Sequence, residues 1–338
     1  MKFCVLGPLE AYADGRGVAV GGGRQRALLA LLLVHADEVV SRDRLIEELW
    51  AGKPPPGRSQ SLDVYISRLR KAFREAGADG VLITRAPGYV LRAGETDARS
   101  FEALAAEGRE ALAAGGAGRA AELLAGALAL WRGPAYLEVA DEPWARAETR
   151  RLAELRLSAT EDRVEAELSL GGHGALVPEL EQLVAREPTR ERLAGQLMLA
   201  LYRSGRQADA LAVYRAARRS LVQELGLEPG PELQRLEAAV LAHDPALDLP
   251  SKPGPPPPAG PVSGPRRRGR RPAFAAAALL LAAAVAAAVV LAGGGTGPAR
   301  VIAADGAGPL DRAPAMLRPA CPSAPRRPAS QLARAASG

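Results

Sequence analysis

The spacing of apolar positions changes character several times within the first hundred residues. Phe3 to Leu9 and Val18 to Val20 are short apolar runs separated by the turn-like Ala13-Asp14-Gly15, a pattern that predicts a small opening sheet. From Arg24 to His35, RQRALLALLLVH, apolar residues fill most of a helix. Ser41 stands where an N-cap belongs for a second helix, with Asp43 in its first turn and Leu45, Ile46, Leu49 and Trp50 on the inner face. The loop AGKPPPGR, Ala51 to Arg58, ends that helix, and Ser59 can cap a third that runs to Ala76. On the third helix Leu62, Ile66, Leu69 and Phe73 follow an i, i+4, i+7, i+11 spacing and form one buried stripe. Its opposite face carries Gln60, Val64, Ser67, Arg68 and Lys71, with Arg74 at the side. Val81 to Leu91 then reads as two apolar runs around Ala86-Pro87-Gly88, a hairpin with Arg85 close to its tip.

From Ala98 to His243 the pattern is helical throughout, with short Gly or Pro interruptions. LSLGGHGALVPEL (Leu168 to Leu180) and LYRSGRQADALAV (Leu201 to Val213) superpose at a shift of 33, which places Gly172 on Gly205 and Leu180 on Val213. A glycine turn between helices at a period near 34 is the signature of tetratricopeptide repeats. Ala175, Ala208 and Ala210 are small enough to let paired helices approach closely, and Gly115 to Ala127 reads as a weaker earlier copy. Trp131, Trp144, Tyr202 and Tyr214 read as helix-packing residues and His173 as an exposed turn residue.

Residues 250 to 265 are half proline and predict a solvated spacer. RRRGRR, Arg266 to Arg271, follows, and then Ala273 to Ala292 provides 20 residues without a polar side chain, long enough to cross the hydrocarbon core as one helix. The arginines would hold its N-terminal side in the cytoplasm. The expected location is therefore the cell membrane, in a single pass; an Ala-rich segment that failed to insert would leave the chain cytoplasmic. The last 46 residues show no periodicity.

Dividing the net charge of +6 along the chain changes its meaning. Residues 1 to 100 hold 15 Lys/Arg against 12 Asp/Glu, residues 101 to 250 hold 17 against 24, and the remainder holds 12 against 2. The helical middle repels nucleic acid, so any contact with it must come from a basic face of the first segment. Cys4 and Cys321 lie in no CxxC and beside no histidine at ligand spacing, which argues against a structural zinc, a thiol redox site or a disulfide scaffold. There is no phosphate-binding GxxxxGK[ST], no strand-embedded GxGxxG, no GxSxG and no His-carboxylate constellation. No enzyme, cofactor or metal is expected.

A basic, partly polar face on a helix held by two others suits a DNA major groove, and strands, three helices and a closing hairpin make a winged helix. LGPLEA, RQRALLALLLVHADEVVSRDRLIEELW, SLDVYISRLRKAF and ITRAPGYVL closely resemble the OmpR-type winged helix of the SARP family of antibiotic-pathway regulators. FEALAAEGREAL, LALWRGPAYLEVADEPW, EDRVEAEL and the run from Leu199 to Leu241 resemble the bacterial transcriptional activator domain that follows it in that family. By this resemblance Ser59 to Ala76 is the recognition helix, Val81 to Leu91 is the wing, Ala51 to Arg58 can face RNA polymerase, and the helical domain supports dimerisation and activation. Asp63 departs from the pattern, because it sits beside the presumed DNA face where an uncharged side chain is expected.

The expected chain is multidomain and mainly α. A winged helix-turn-helix (α+β) over residues 1–96 precedes an all-α tetratricopeptide-like domain over 97–249, a linker over 250–271, a transmembrane helix over 272–292 and a tail over 293–338. The expected partners are double-stranded DNA, RNA polymerase holoenzyme, a second copy of the chain, and the lipid bilayer at residues 272–292. Base contacts fall to Gln60, Val64, Ser67 and Arg68, and phosphate contacts to Arg68, Arg70, Lys71, Arg74 and Arg85. Arg70 lies closer to the buried stripe and can instead brace the helix against its own domain. A membrane-anchored scaffold whose helical repeats bind a protein is the reading from another class; it predicts no DNA affinity in the first 95 residues.

Overall fold

The computed structural model describes residues 1–50 and 58–249. Most of the loop expected to face polymerase, the proline-rich linker, the apolar segment 272–292, the tail and Cys321 lie outside the described residues.

Strand β1 (Lys2–Cys4) pairs antiparallel with β2 (Glu10–Ala13), and β2 pairs with β3 (Arg16–Gly17). The turn between β2 and β3 uses left-handed backbone at Asp14 (φ 47°) and Gly15 (φ 78°), the geometry a two-residue hairpin requires. The strand expected at Val18–Val20 does not form. Val18 donates once, to the Ala11 carbonyl at 2.8 Å, before the glycines from Gly21 divert the chain into helix α1 (Gly23–Val34). Val20 is nevertheless buried, so the apolar signal there marked the core and not a ladder.

Strand β4 (Val40–Ser41) leads into α2 (Arg42–Trp50), and the Arg44 amide donates to the Ser41 hydroxyl at 3.2 Å, as the cap requires. Helix α3 (Arg58–Glu75) starts one residue before the serine expected to cap it. Its stripe of Leu62, Ile66, Leu69 and Phe73 is fully buried, and Phe73 meets Phe3 edge to face at 6.1 Å. Strands β5 (Leu82–Arg85) and β6 (Gly88–Leu91) form the hairpin, and β4 joins β6 at its other edge. Strand β7 (Glu95–Thr96) returns beside β1 in parallel.

Among the described residues seven α-helices follow, α4 (Asp97–Ala113), α5 (Ala117–Leu128), α6 (Arg146–Ser169), α7 (His173–Arg186), α8 (Glu191–Arg203), α9 (Gln207–Leu225) and α10 (Pro231–Ala242). Three of the turns between them are built alike. Gly115, Gly171 and Gly205 take φ of 77°, 88° and 76°, and the next residue in each case donates to the carbonyl five positions back, at 2.9 Å. This is the Schellman cap, which favours glycine at the left-handed position. Helices α7 and α9 begin at His173 and Gln207, 34 residues apart, so Gly171 is the counterpart of Gly205 and the shift of 33 was one residue short. Ala175 and Ala208 are exposed and do not mediate close packing; Ala210 is buried and does.

The first segment and the helices share one core. Leu28, Leu32, Leu62 and Phe73 belong to the same contiguous buried cluster as Phe101, Leu124 and Leu152. A polar seam reinforces this junction. Thr96 caps α4 by accepting from the Arg99 amide at 3.1 Å. Asp97, fully buried, accepts the amides of Val5 at 2.7 Å and Leu6 at 3.1 Å and lies 3.4 Å from Arg132. Arg132 also pairs with Glu10 at 2.6 Å, and Glu138 accepts the Leu9 amide at 3.0 Å while pairing with Arg26. Among the described residues no helix is long and apolar enough to cross a membrane, and no group of acidic, histidine and cysteine side chains could hold a metal.

Candidate nucleic-acid interface

With the stripe of α3 buried, helical geometry dictates what its other side offers. Gln60, Val64, Ser67, Arg68, Lys71 and Arg74 fall within a wedge of roughly 120° when successive residues are turned by about 100°. All six are exposed, and Val64 keeps 45% of its surface. Lys71 lies 3.8 Å from Glu75 and Arg74 lies 3.9 Å from Asp79, loose surface pairs that contribute little and break readily. Arg68 makes no hydrogen bond or ion pair among the described residues.

Arg85 is exposed at the tip of β5, where the hairpin turns through Ala86 and Pro87. A glycine lets the hairpin pair closely with β4. A Cβ at Gly88 would lie 1.8 Å from the Val40 carbonyl oxygen, so β6 can cross β4 at this distance only without a side chain there.

Asp63 and Arg70 lie on the flank between the exposed wedge and the buried stripe, and both are engaged. Arg42, the first residue of α2, grips Asp63 through two nitrogens, at 2.6 and 3.1 Å. That hydrogen bond holds the Asp63 carboxyl below its usual range and raises the Arg42 guanidinium, so the acidic departure carries its own counter-charge. Arg70 donates from Nε to the Leu82 carbonyl at 3.0 Å and from a terminal nitrogen to Thr84 Oγ1 at 2.7 Å. The Tyr89 ring has the Arg42 guanidinium 5.8 Å away and that of Arg70 5.7 Å away, and its hydroxyl donates to Asp63 at 3.2 Å. Burial raises the Tyr89 phenol and keeps it neutral. Of the residues expected at the interface, the structure thus gathers Gln60, Val64, Ser67, Arg68, Lys71 and Arg74 on one face and puts Arg85 on the hairpin. It turns Arg70 inward as a brace.

No motif in the sequence points to Arg42, Thr84 or Tyr89 as part of this arrangement. Arg42 and Asp63 are 21 residues apart on different helices, so no local spacing connects them. The acidic residue flanking a basic face was the one visible sign that a cation had to be nearby.

Residues 19–91 match the family of transcriptional regulatory protein C-terminal domains, and residues 96–241 match the bacterial transcriptional activator domain. The regulatory protein DnrI of Streptomyces peucetius is 39% identical over 257 residues, which cover 73% of this chain and 94% of DnrI. The chain belongs to the SARP family of transcriptional regulators. It is also 43% identical over 250 residues, 73% of its length, to the regulatory protein AfsR of Streptomyces coelicolor, but this SARP chain spans only about a quarter of the AfsR proteins it matches, 25% in that case. The solved structure of Mycobacterium tuberculosis EmbR in complex with a low-affinity phosphopeptide superposes with a TM-score of 0.68 at 38% identity, covering 72% of this chain and 65% of EmbR. A SARP regulator built like EmbR therefore carries the exposed face of α3 and the β5–β6 hairpin on a helical body of known type.

Proposed function

We propose that this chain is a sequence-specific DNA-binding activator that places α3 in a major groove. Gln60, Val64, Ser67 and Arg68 face base edges, Lys71 and Arg74 neutralise phosphate, and Arg85 on the hairpin reaches the backbone or the neighbouring minor groove. The observation that carries this reading is the single exposed wedge of α3, on which a bare valine and unpaired or loosely paired cations stand together beside a braced hairpin. Val64 offers an apolar contact of the kind a thymine methyl accepts. RNA polymerase holoenzyme and a second copy of the chain are the protein partners this reading assigns, the second giving two half-sites. Residues 272–292 anchor the regulator to the membrane with the described residues in the cytoplasm; the support is the uninterrupted apolar sequence with five arginines before it.

Genome-wide immunoprecipitation of the full-length chain from its host, beside an Arg68→Ala/Lys71→Ala variant and a version ending at Leu249, tests both parts. Discrete peaks are expected that vanish in the double variant, and the shortened version is expected to leave the membrane fraction. Absence of enrichment in every version sinks the DNA reading. Retention of the shortened version in the membrane sinks the anchor.

A further inference from the structure

The helices α6, α8 and α10 leave a groove of about 770 Å³ between them. Its floor is apolar: Leu168 and Leu233 are buried, Leu199 and Leu236 are half-buried, and Gly195 of α8 lies beside them. The polar groups along it are unevenly matched. Its donors are engaged within the protein: Arg192 with Asp162 at 2.7 Å and Glu165 at 2.6 Å, Arg203 with the carbonyls of Leu168 at 2.9 Å and Leu247 at 2.7 Å. The Gln196 amide nitrogen donates to the Glu161 carbonyl at 2.8 Å.

Acceptors are left over. Gln196 Oε1, on a side chain more than nine-tenths buried, meets no donor among the described residues. The Glu191 carboxylate receives the Gly230 amide at 2.6 Å through one oxygen, and its other oxygen has no donor among the described residues. The Gln196 oxygen is closed off behind the floor, so the acceptor within a ligand's reach is the second Glu191 oxygen on the rim, which a ligand N–H can engage. An apolar floor with a carboxylate rim is complementary to an apolar body that carries cationic donors, and it repels an acidic one.

We propose that this groove docks an extended peptide segment of a partner protein, one with an apolar side chain beside a lysine or arginine. This site lies on the helical body and does not rest on the DNA reading of α3.

The test is fluorescence anisotropy of the full chain with three labelled nonapeptide pools, each with a central leucine flanked by arginine and lysine, by serine, or by glutamate. The cationic pool is expected to bind about tenfold more tightly than the serine pool, the value of one charge-assisted hydrogen bond. The acidic pool is expected not to bind. Gly195→Leu, which fills the groove from its floor, abolishes binding. Gly195→Ala leaves it unchanged, because its Cβ meets Leu236 at an ordinary 3.5 Å. Far-UV circular dichroism of Gly195→Leu reports its fold, and Glu191→Gln gives an independent reading by losing the preference for cationic over serine peptides while still binding both. Equal affinity for the three pools, binding by none, or undiminished binding in Gly195→Leu overturns the proposal. So does a sedimentation experiment in which Gly195→Leu dissociates a homodimer, since the occupant is then a second copy.

Discussion

Replacing Arg70 by methionine separates a brace from a phosphate contact. Methionine keeps the aliphatic stem against the helix but removes the bonds to the Leu82 carbonyl and to Thr84 Oγ1 and the cation beside the Tyr89 ring. Both bonds come from a charged donor at a half-exposed position, and the ring contact is worth less than about 1 kcal/mol at such a site, so the hairpin should lose about 2 kcal/mol of its hold on α3. Hydrogen exchange of the β5 and β6 amides should accelerate accordingly, by about thirtyfold, while that of the buried stripe of α3 stays put. DNA affinity falls because the hairpin must be ordered on binding, yet no phosphate contact is lost, so the slope of log affinity against log salt stays that of the parent. Lys71→Ala should instead flatten that slope by about 0.9, equivalent to a three- to fourfold smaller affinity loss between 50 and 200 mM salt. A slope change in Arg70→Met as large as in Lys71→Ala would refute the bracing assignment.

Two further outcomes concern the seam. Asp97→Ala strands the Val5 and Leu6 amides and leaves Arg132 facing an empty buried position, so urea unfolding should show a loss of about 3 to 5 kcal/mol; a loss below about 1 kcal/mol would mean the seam is not closed in solution. Burial pushes the Glu138 carboxyl up, but the Arg26 hydrogen bond and the Leu9 amide outweigh it and hold the group below its ordinary range. A depressed carboxylate stabilises above the unfolded-state pKa of about 4.3, and that contribution disappears as pH falls through the folded-state value. Glu138→Gln should therefore be less stable than the parent at pH 7, by about 1 kcal/mol after allowing for solvent screening, and the difference should shrink steadily as the pH is lowered through the acid range. A gap that stays the same size down through the acid range would show that packing, not charge, is what the glutamate supplies.

What could be read from the sequence followed its periodicity. The stripe Leu62, Ile66, Leu69 and Phe73 was legible because four apolar residues at helical spacing admit one arrangement, and the exposed wedge of α3 followed by subtraction. The hairpin was legible from its alternation and its turn residues. The junction was not. Asp97 meets Val5 across 92 positions and Glu138 meets Leu9 across 129, and no local pattern encodes contacts at that separation. Val18 to Val20 misled because burial and strand pairing leave the same apolar trace. The repeat was found but set one residue out, since the adjacent Gly171 and Gly172 both fit the pattern and only backbone torsion shows which one turns the chain.

The seam around Asp97 has a bearing on how such regulators diversify. What Asp97 holds on the other side is backbone, the amides of Val5 and Leu6, and Glu138 likewise takes the Leu9 amide; Glu10, Arg26 and Asp37 contribute side chains, to Arg132, Glu138 and Arg99. A clasp that grips main chain is nearly indifferent to which residues are threaded through it. If the exposed wedge of α3 reads DNA as proposed, mutation can rewrite it while the helical body keeps its grip on the same handle, so new specificities can arise without rebuilding the machine that wields them.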